Sequence, residues 1–339
     1  MKWTRGAPWF AWQAAVLSLL GCSTSNEKVV ASEPTPLQAC SDLATFRCQK
    51  LAGCEPLGET VRYGNDQTCL DRETLACMNA LSAPGTGNTP RNVEGCLVAY
   101  AGYECADFMN SNPPAACRAP SGTVAVGQPC QFPAQCQTGY CALPRGAECG
   151  TCAALPVAGD SCASGASCGY NLVCSNLTQK CVAWGTVGDP CDKRDGTCGY
   201  GFGCATTTSG TAGTCQLLSV AAGQPCGETA NAVCDTGAGL FCTGGTCQTA
   251  TLSTAGGPCG ALPADAGAAA AHGYCMGSSR CDTAAAPAVC TGPAADNGAC
   301  DTAEERIACM PPARCVGTAS DGGVVGTCQV PTGMCTAGP

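Results

Sequence analysis

The sequence predicts a small disulfide-rich fold in two parts, a short all-α domain with eight cysteines followed by tandem loop-rich modules built on short β-hairpins. Three observations predict it. Of 339 residues, 35 are Cys, 45 Gly and 23 Pro. Large core-forming side chains are scarce, with 20 Leu, 19 Val, one Ile and six Phe, well under the share from which packed cores are ordinarily built. The cysteines after Pro120 recur with a period of about 30 residues, the signature of a repeat architecture. A chain so poor in core-formers needs covalent staples, and cysteine at about one residue in ten is the level of disulfide scaffolds in oxidising compartments.

Residues 1–21 read as an export signal. Lys2 and Arg5 form a positive start, and the apolar stretch Ala7 to Leu20, interrupted by Gln13, is too short for a stable membrane span. The stretch ends in Leu19-Leu20-Gly21-Cys22, which resembles the bacterial lipoprotein box. That resemblance implies that Cys22 carries a lipid as the mature N-terminus. It also implies that Ser23, where an acid would retain the protein, favours the outer membrane. Setting Cys22 aside leaves an even number of cysteines, so every other one has a possible partner. The competing reading is ordinary signal cleavage with Cys22 left as a free thiol. Residues 22–38 follow as lipidated Cys and polar tether, free of any further cysteine.

Residues 39–118 carry Cys40, Cys48, Cys54, Cys69, Cys77, Cys96, Cys105 and Cys117 and most of the helical pattern. The run Ser41 to Leu51 lacks Gly and Pro. Asn65 or Asp66 is placed to cap a helix through Cys69, Leu70, Leu75, Cys77 and Leu81. Thr89-Pro90 is a cap followed by Pro at the first helical position, leading through Val93, Cys96, Leu97 and Tyr100. Pro113-Pro114 stops whatever precedes it. The expectation is three or four short helices joined by four disulfides.

Residues 124–339 divide into six four-cysteine modules that start near 127, 159, 188, 223, 256 and 297. Their cysteines are Cys130, Cys136, Cys141 and Cys152; Cys162, Cys168, Cys174 and Cys181; Cys191, Cys198, Cys204 and Cys215; Cys226, Cys234, Cys242 and Cys247; Cys259, Cys275, Cys281 and Cys290; Cys300, Cys309, Cys315 and Cys328. Five lead cysteines share a Gly-x-Pro/Ser or Gly-Gly-Pro run-in, as in Gly127-Gln-Pro-Cys130, and the sixth, Asn297-Gly-Ala-Cys300, departs from it. A module this small buries too little to fold on apolar contacts alone, so disulfides must restrict its unfolded state. Four cysteines allow three pairings. First to third with second to fourth would interlock a hairpin, but spacing leaves the choice open. Cys149 and Cys335 are left over, to pair with each other or to enter different local bridges.

The spacing of Cys130, Cys136, Cys141, Cys149, Cys152, Cys162 and Cys168 resembles Dickkopf N-terminal-type cysteine-rich modules. The whole arrangement of lipobox, eight-cysteine helical region and Gly/Cys repeats is similar to cysteine-rich lipoproteins of the myxobacterial type. The resemblance implies staple geometry and an envelope location, and no receptor is carried over with it.

Little in the chain suggests catalysis. The formal charge of −9 with 16 scattered basic residues speaks against nucleic acid as a partner. Lys193-Arg194, flanked by Asp192 and Asp195, reads as a solvated loop. The single His, His272, follows an Ala-rich insertion after Asp265 and reads as an exposed loop without a nucleophile or orienting acid at helpful spacing. Cys149-Gly-Thr-Cys152 is a lone knuckle, insufficient for a four-cysteine metal site and lacking a thioredoxin-like context. Glu304-Glu305 are adjacent on a helical stretch and do not face each other. Asp192, Asp195, Asp235 and Asp301 follow cysteines closely, yet no calcium loop pattern occurs. Asn176-Leu-Thr178 matches a glycosylation sequon. Tyr140, Tyr170, Tyr200 and Phe202 are the candidates for an interaction surface, or else each shields its own disulfide.

No catalytic, cofactor or metal residue is therefore assigned. The expected role is a non-enzymatic lipoprotein of the cell envelope, anchored to the membrane by its N-terminal lipid and contacting an unidentified protein or glycan. The alternative is a protease-inhibitor-like protein, and behind it stand redox and metal-binding roles.

Overall fold

Thr35 and Pro36 open the first helix. In the computed structural model, which describes residues 33–163, 167–206, 210–219, 221–227, 230–261, 272–302, 307–320 and 323–335, the Thr35 hydroxyl accepts from the Gln38 backbone N–H at 3.1 Å. Pro36 occupies the first helical turn of α1 (Pro36–Cys54). The tether expected over 22–38 thus gives way to helix at Pro36, because a Thr-Pro pair is itself a helix start. Residues 1–32, on which the expected export signal and lipidated Cys22 fall, lie outside the described residues, as do Asp265, Glu304 and Glu305.

Four further helices follow: α2 (Gly58–Tyr63), α3 (Asp66–Ser82), α4 (Pro90–Ala99) and α5 (Cys105–Met109), then a single turn at Ala115–Cys117. The two expected caps are in place. Asn65 Oδ1 accepts from the Thr68 N–H at 2.9 Å, and the Thr89 hydroxyl accepts from the Asn92 N–H at 3.2 Å. Disulfides 40–77 and 48–69 pin α1 against α3 in antiparallel register. Disulfide 54–105 holds the end of α1 to α5, and 96–117 closes α4 onto the final turn. The short helices α2 and α5 have no side-chain cap. Neighbouring bridges and packing hold them, and for that reason they left no mark in the sequence.

Beyond residue 118 the described elements are short strands and turns. All six four-cysteine units use one pairing, first to third and second to fourth: 130–141 with 136–152, 162–174 with 168–181, 191–204 with 198–215, 226–242 with 234–247, 259–281 with 275–290, and 300–315 with 309–328. The third and fourth cysteines of every unit lie directly opposite on an antiparallel hairpin, as Cys141 does to Cys152 and Cys315 to Cys328. This sets the two bridges side by side, and in the first, fourth, fifth and sixth units the disulfide cysteines form the buried core.

The run-in glycine has a backbone cause. Gly127, Gly159, Gly188, Gly223 and Gly256 have φ between 81° and 93°, and Asn297 at φ 66° takes the same place in the sixth unit. Asn is the side chain that best tolerates this region after Gly. In each unit the N–H of this residue donates to the carbonyl of the fourth cysteine, from Gly127 to Cys152 through Asn297 to Cys328. The fourth cysteine's N–H donates back to the next residue of the turn. The departure at Asn297 is therefore one of residue type and not of geometry.

The six units do not extend as a free string. Residues Glu33–Pro339 pack as one unit, and each repeat is tied to the helical segment in turn. Gly87 donates to Ala134 O in the first unit, and Asn171 of the second donates to Ser111 O. The Trp184 indole, leading into the third, donates to Asn110 O at 3.0 Å. Leu57 donates to Gly237 O of the fourth, while Gly277 and Ser278 of the fifth donate to Thr60 O and Val61 O. The Arg72 guanidinium grips the sixth unit through Asp296, Met310 O and Pro311 O. First and last units then meet: Gly317 donates to Gly146 O, and Cys149 is bonded to Cys335. No helix among the described residues is long and apolar enough to cross a membrane.

Candidate binding cleft

The wrapping leaves a cleft of about 520 Å³ between the helical segment and the first two units. Its helical wall carries Arg47, Arg62, Glu73, Tyr100, Tyr103 and Phe108, and the opposite wall carries Tyr140, Ser167 and Tyr170. Disulfide 48–69 fixes α1 against α3 next to Arg47 and Glu73, and the Arg47 Nε–Glu73 Oε2 distance is 2.7 Å. The Tyr63 hydroxyl donates to the other carboxylate oxygen of Glu73 at 2.5 Å. Burial pushes the Glu73 pKa upward, but Arg47, the Tyr63 hydroxyl and Arg62 together outweigh it and hold the carboxyl below its usual range. Glu73 is accordingly an ionised acceptor fixed in place.

The aromatic wall is similarly braced. Tyr100 stacks on Phe46 with centroids 4.5 Å apart, and Tyr103 meets Tyr100 edge-on at 4.9 Å. The Tyr103 hydroxyl donates to Asn112 O, and Lys50 donates to Tyr103 O. Burial first, then Tyr100 and Asp107, push the Tyr103 pKa up to about 12 against the opposing pull of Arg118. Across the cleft the Tyr140 hydroxyl donates to Ser167 O at 2.7 Å, and the Arg118 guanidinium lies 4.7 Å from the Tyr170 ring centroid. Rings held by hydrogen bonds and stacking, flanked by fixed charges, form a surface suited to binding.

Of the four aromatic residues singled out in the sequence, Tyr140 and Tyr170 line this cleft. Tyr200 faces elsewhere: its hydroxyl donates to Cys54 O and its N–H to Asn110 Oδ1, so it docks the third unit. Phe202 begins a strand, Phe202–Thr206, away from the cleft. Tyr100 is expected only as a helix position and Tyr103 and Phe108 not at all, although three aromatic rings within nine residues of so aromatic-poor a chain were a signal.

The remaining sequence candidates have plain positions. His272 is not in a loop, since it opens the strand His272–Cys275 and pairs with Ala261, while Gly260 pairs with Gly273 on the same ladder. Cys149 and Cys152 do not join each other: they bond Cys335 and Cys136. Groups of three sulfur atoms such as Cys130, Cys136 and Cys152 lie within 4.8 Å because two disulfides sit side by side. Asp192 accepts from Arg194 and Thr211, Asp195 from Ser175 and Leu177, and Asp235 from Gly237 and Ala238. Those acids organise loops. The Asn176 side chain is exposed, and its amide donates weakly to Arg194 O at 3.4 Å.

No protein-family model, curated protein or solved structure matches the chain.

Proposed function

We propose that this chain is a non-enzymatic lipoprotein of the bacterial cell envelope, held at the outer membrane by a lipid on Cys22. It would combine a short all-α eight-cysteine domain with six Dickkopf-like four-cysteine modules. Its task is recognition of a protein or glycan partner through the tyrosine-lined cleft. The observation that carries this reading is the cleft itself: Tyr100, Tyr103, Tyr140 and Tyr170 converge from two separately stapled regions onto one cavity. Tyrosines immobilised in this way lose little entropy on binding and offer both a ring face and a polar tip.

The test is a glycan array and a peptide array probed with the oxidised full chain and with Tyr170→Ala. Ligands retained by the parent chain and lost by the variant would support the reading. An absence of ligands on both arrays, or undiminished binding by Tyr170→Ala, would overturn it.

A further inference from the structure

A second cavity, of about 530 Å³, lies where the first, fifth and sixth units meet, away from the tyrosine-lined cleft. Three arginines line it: Arg145, Arg280 and Arg314. In a chain with 16 basic residues and a net charge of −9, three cations on one cavity are a concentration of charge that composition does not supply. Two of them occupy equivalent places, for Arg280 and Arg314 each precede the third cysteine of their unit. The same place in the first unit holds Tyr140, which lines the tyrosine cleft. This position of the repeat therefore supplies side chains to both cavities.

The three guanidinium groups are only partly compensated, by Glu148 acting on Arg314. Among the described residues none of them enters an ion pair, although Arg47, Arg72, Arg91 and Arg194 all do. The Nε of Arg314 is shut off from solvent with no hydrogen-bond partner, a costly state for a donor on a charged group. Burial lowers the pKa of Arg314, with Glu148 acting in the opposite sense. Thr302, Ala308, Ala313 and Val324 supply small and apolar lining beside the charges.

We propose that this cavity binds a phosphate-bearing ligand. A single carboxylate is satisfied by one arginine in a two-point contact, whereas three guanidinium groups match an anion with three or more oxygens and about two negative charges. The cavity falls in the size range of sites for small organic ligands, which leaves room for the group esterified to the phosphate. A free phosphate ester and a lipid headgroup phosphate share this chemistry.

The test is calorimetric titration of the oxidised full chain with three probes: inorganic pyrophosphate, glucose 1-phosphate, and dihexanoylphosphatidic acid below its micellar concentration. At least one probe should bind, and more weakly as salt is raised. Arg280→Gln and Arg314→Gln should each weaken binding about tenfold or more, and Arg194→Gln, remote from the cavity, should leave it unchanged. Arg280 is exposed, so its replacement keeps the test valid even if Arg314→Gln disturbs folding. Preference for glucose 1-phosphate identifies a soluble ester, and preference for the phosphatidic acid identifies a lipid headgroup. Failure of all three probes to bind, equal binding by Arg280→Gln, or equal loss in Arg194→Gln would overturn the proposal.

Discussion

Cys149 and Cys335 are 186 residues apart in sequence and bonded to each other, so the last described residue of the chain is fixed to the first repeat. The contact is more than one bond. The buried Gln131 side chain accepts from the Thr332 and Gly333 N–H groups, and Gln135 donates to Gly333 O at 2.9 Å. Asn79 of α3 donates to Pro331 O at 2.9 Å. The tail thereby joins the first unit, the sixth unit and the helices.

Removing that closure gives the first expected outcome. The double variant C149S/C335S should keep its other sixteen bridges and lose about 2–4 kcal/mol of stability, the usual range for a native disulfide. Urea unfolding measures the loss, and limited proteolysis should show new cleavage around 331–335.

The run-in residues test the backbone argument. A Cβ at Gly188 meets no atom within 4 Å, so Gly188→Ala adds no clash and isolates the cost of φ 87°. It should destabilise by about 1–2 kcal/mol. Asn297→Gly at φ 66° should be neutral or mildly stabilising. Thermal unfolding of the two variants would contradict the argument if their order were reversed.

Two groups in the cleft set opposite pH limits. The folded pKa of Glu73 lies below its unfolded value, so its contribution is present above the ordinary carboxylate range and is lost as pH falls through the folded pKa. Glu73→Gln should lower stability at neutral pH and flatten the acid limb. Tyr103 is raised to about 12, so its contribution is complete below the ordinary tyrosine value near ~10 and disappears as pH rises from there to about 12. Tyr103→Phe should flatten part of the alkaline limb. Stability against pH for the parent and both variants checks each sign.

Arg72 ties α3 to the sixth unit with hydrogen bonds to Asp296, Met310 O and Pro311 O. Its own side chain is 15% accessible, so these bonds are partly shielded from water. Arg72→Ala should cost about 1.5–3 kcal/mol, the range for hydrogen bonds to a charged group. Amide hydrogen exchange should accelerate around 294–302 and 309–313 while the disulfide pattern stays unchanged.

How much of this was legible depends on whether a feature is local. Thr89-Pro90 and Asn65 announce their helices because a cap is written within four residues. The lead cysteines and run-in glycines announce six units for the same reason, although only the structure shows Asn297 doing the work of glycine. Pairing within a unit stayed open, since three connectivities satisfy the same spacing. One clue was available in the helical segment: Cys40 and Cys48 have the same separation as Cys69 and Cys77, as two antiparallel helices bridged twice require. The cleft was half legible. Tyr140 and Tyr170 stood out, but their meeting with Tyr100 and Tyr103 depends on how the repeats wrap the helices, through contacts such as Asn171 to Ser111 that no local spacing encodes.

The most direct test of the account is intact-mass analysis and non-reduced peptide mapping of the protein taken from native membranes. The expected result is a lipid-sized addition on Cys22, no free thiol before reduction, one first-to-third and one second-to-fourth bridge in each unit, and a peptide joining Cys149 to Cys335. Free thiols with bound metal, a bond between Cys149 and Cys152, or an unmodified Cys22 would contradict it.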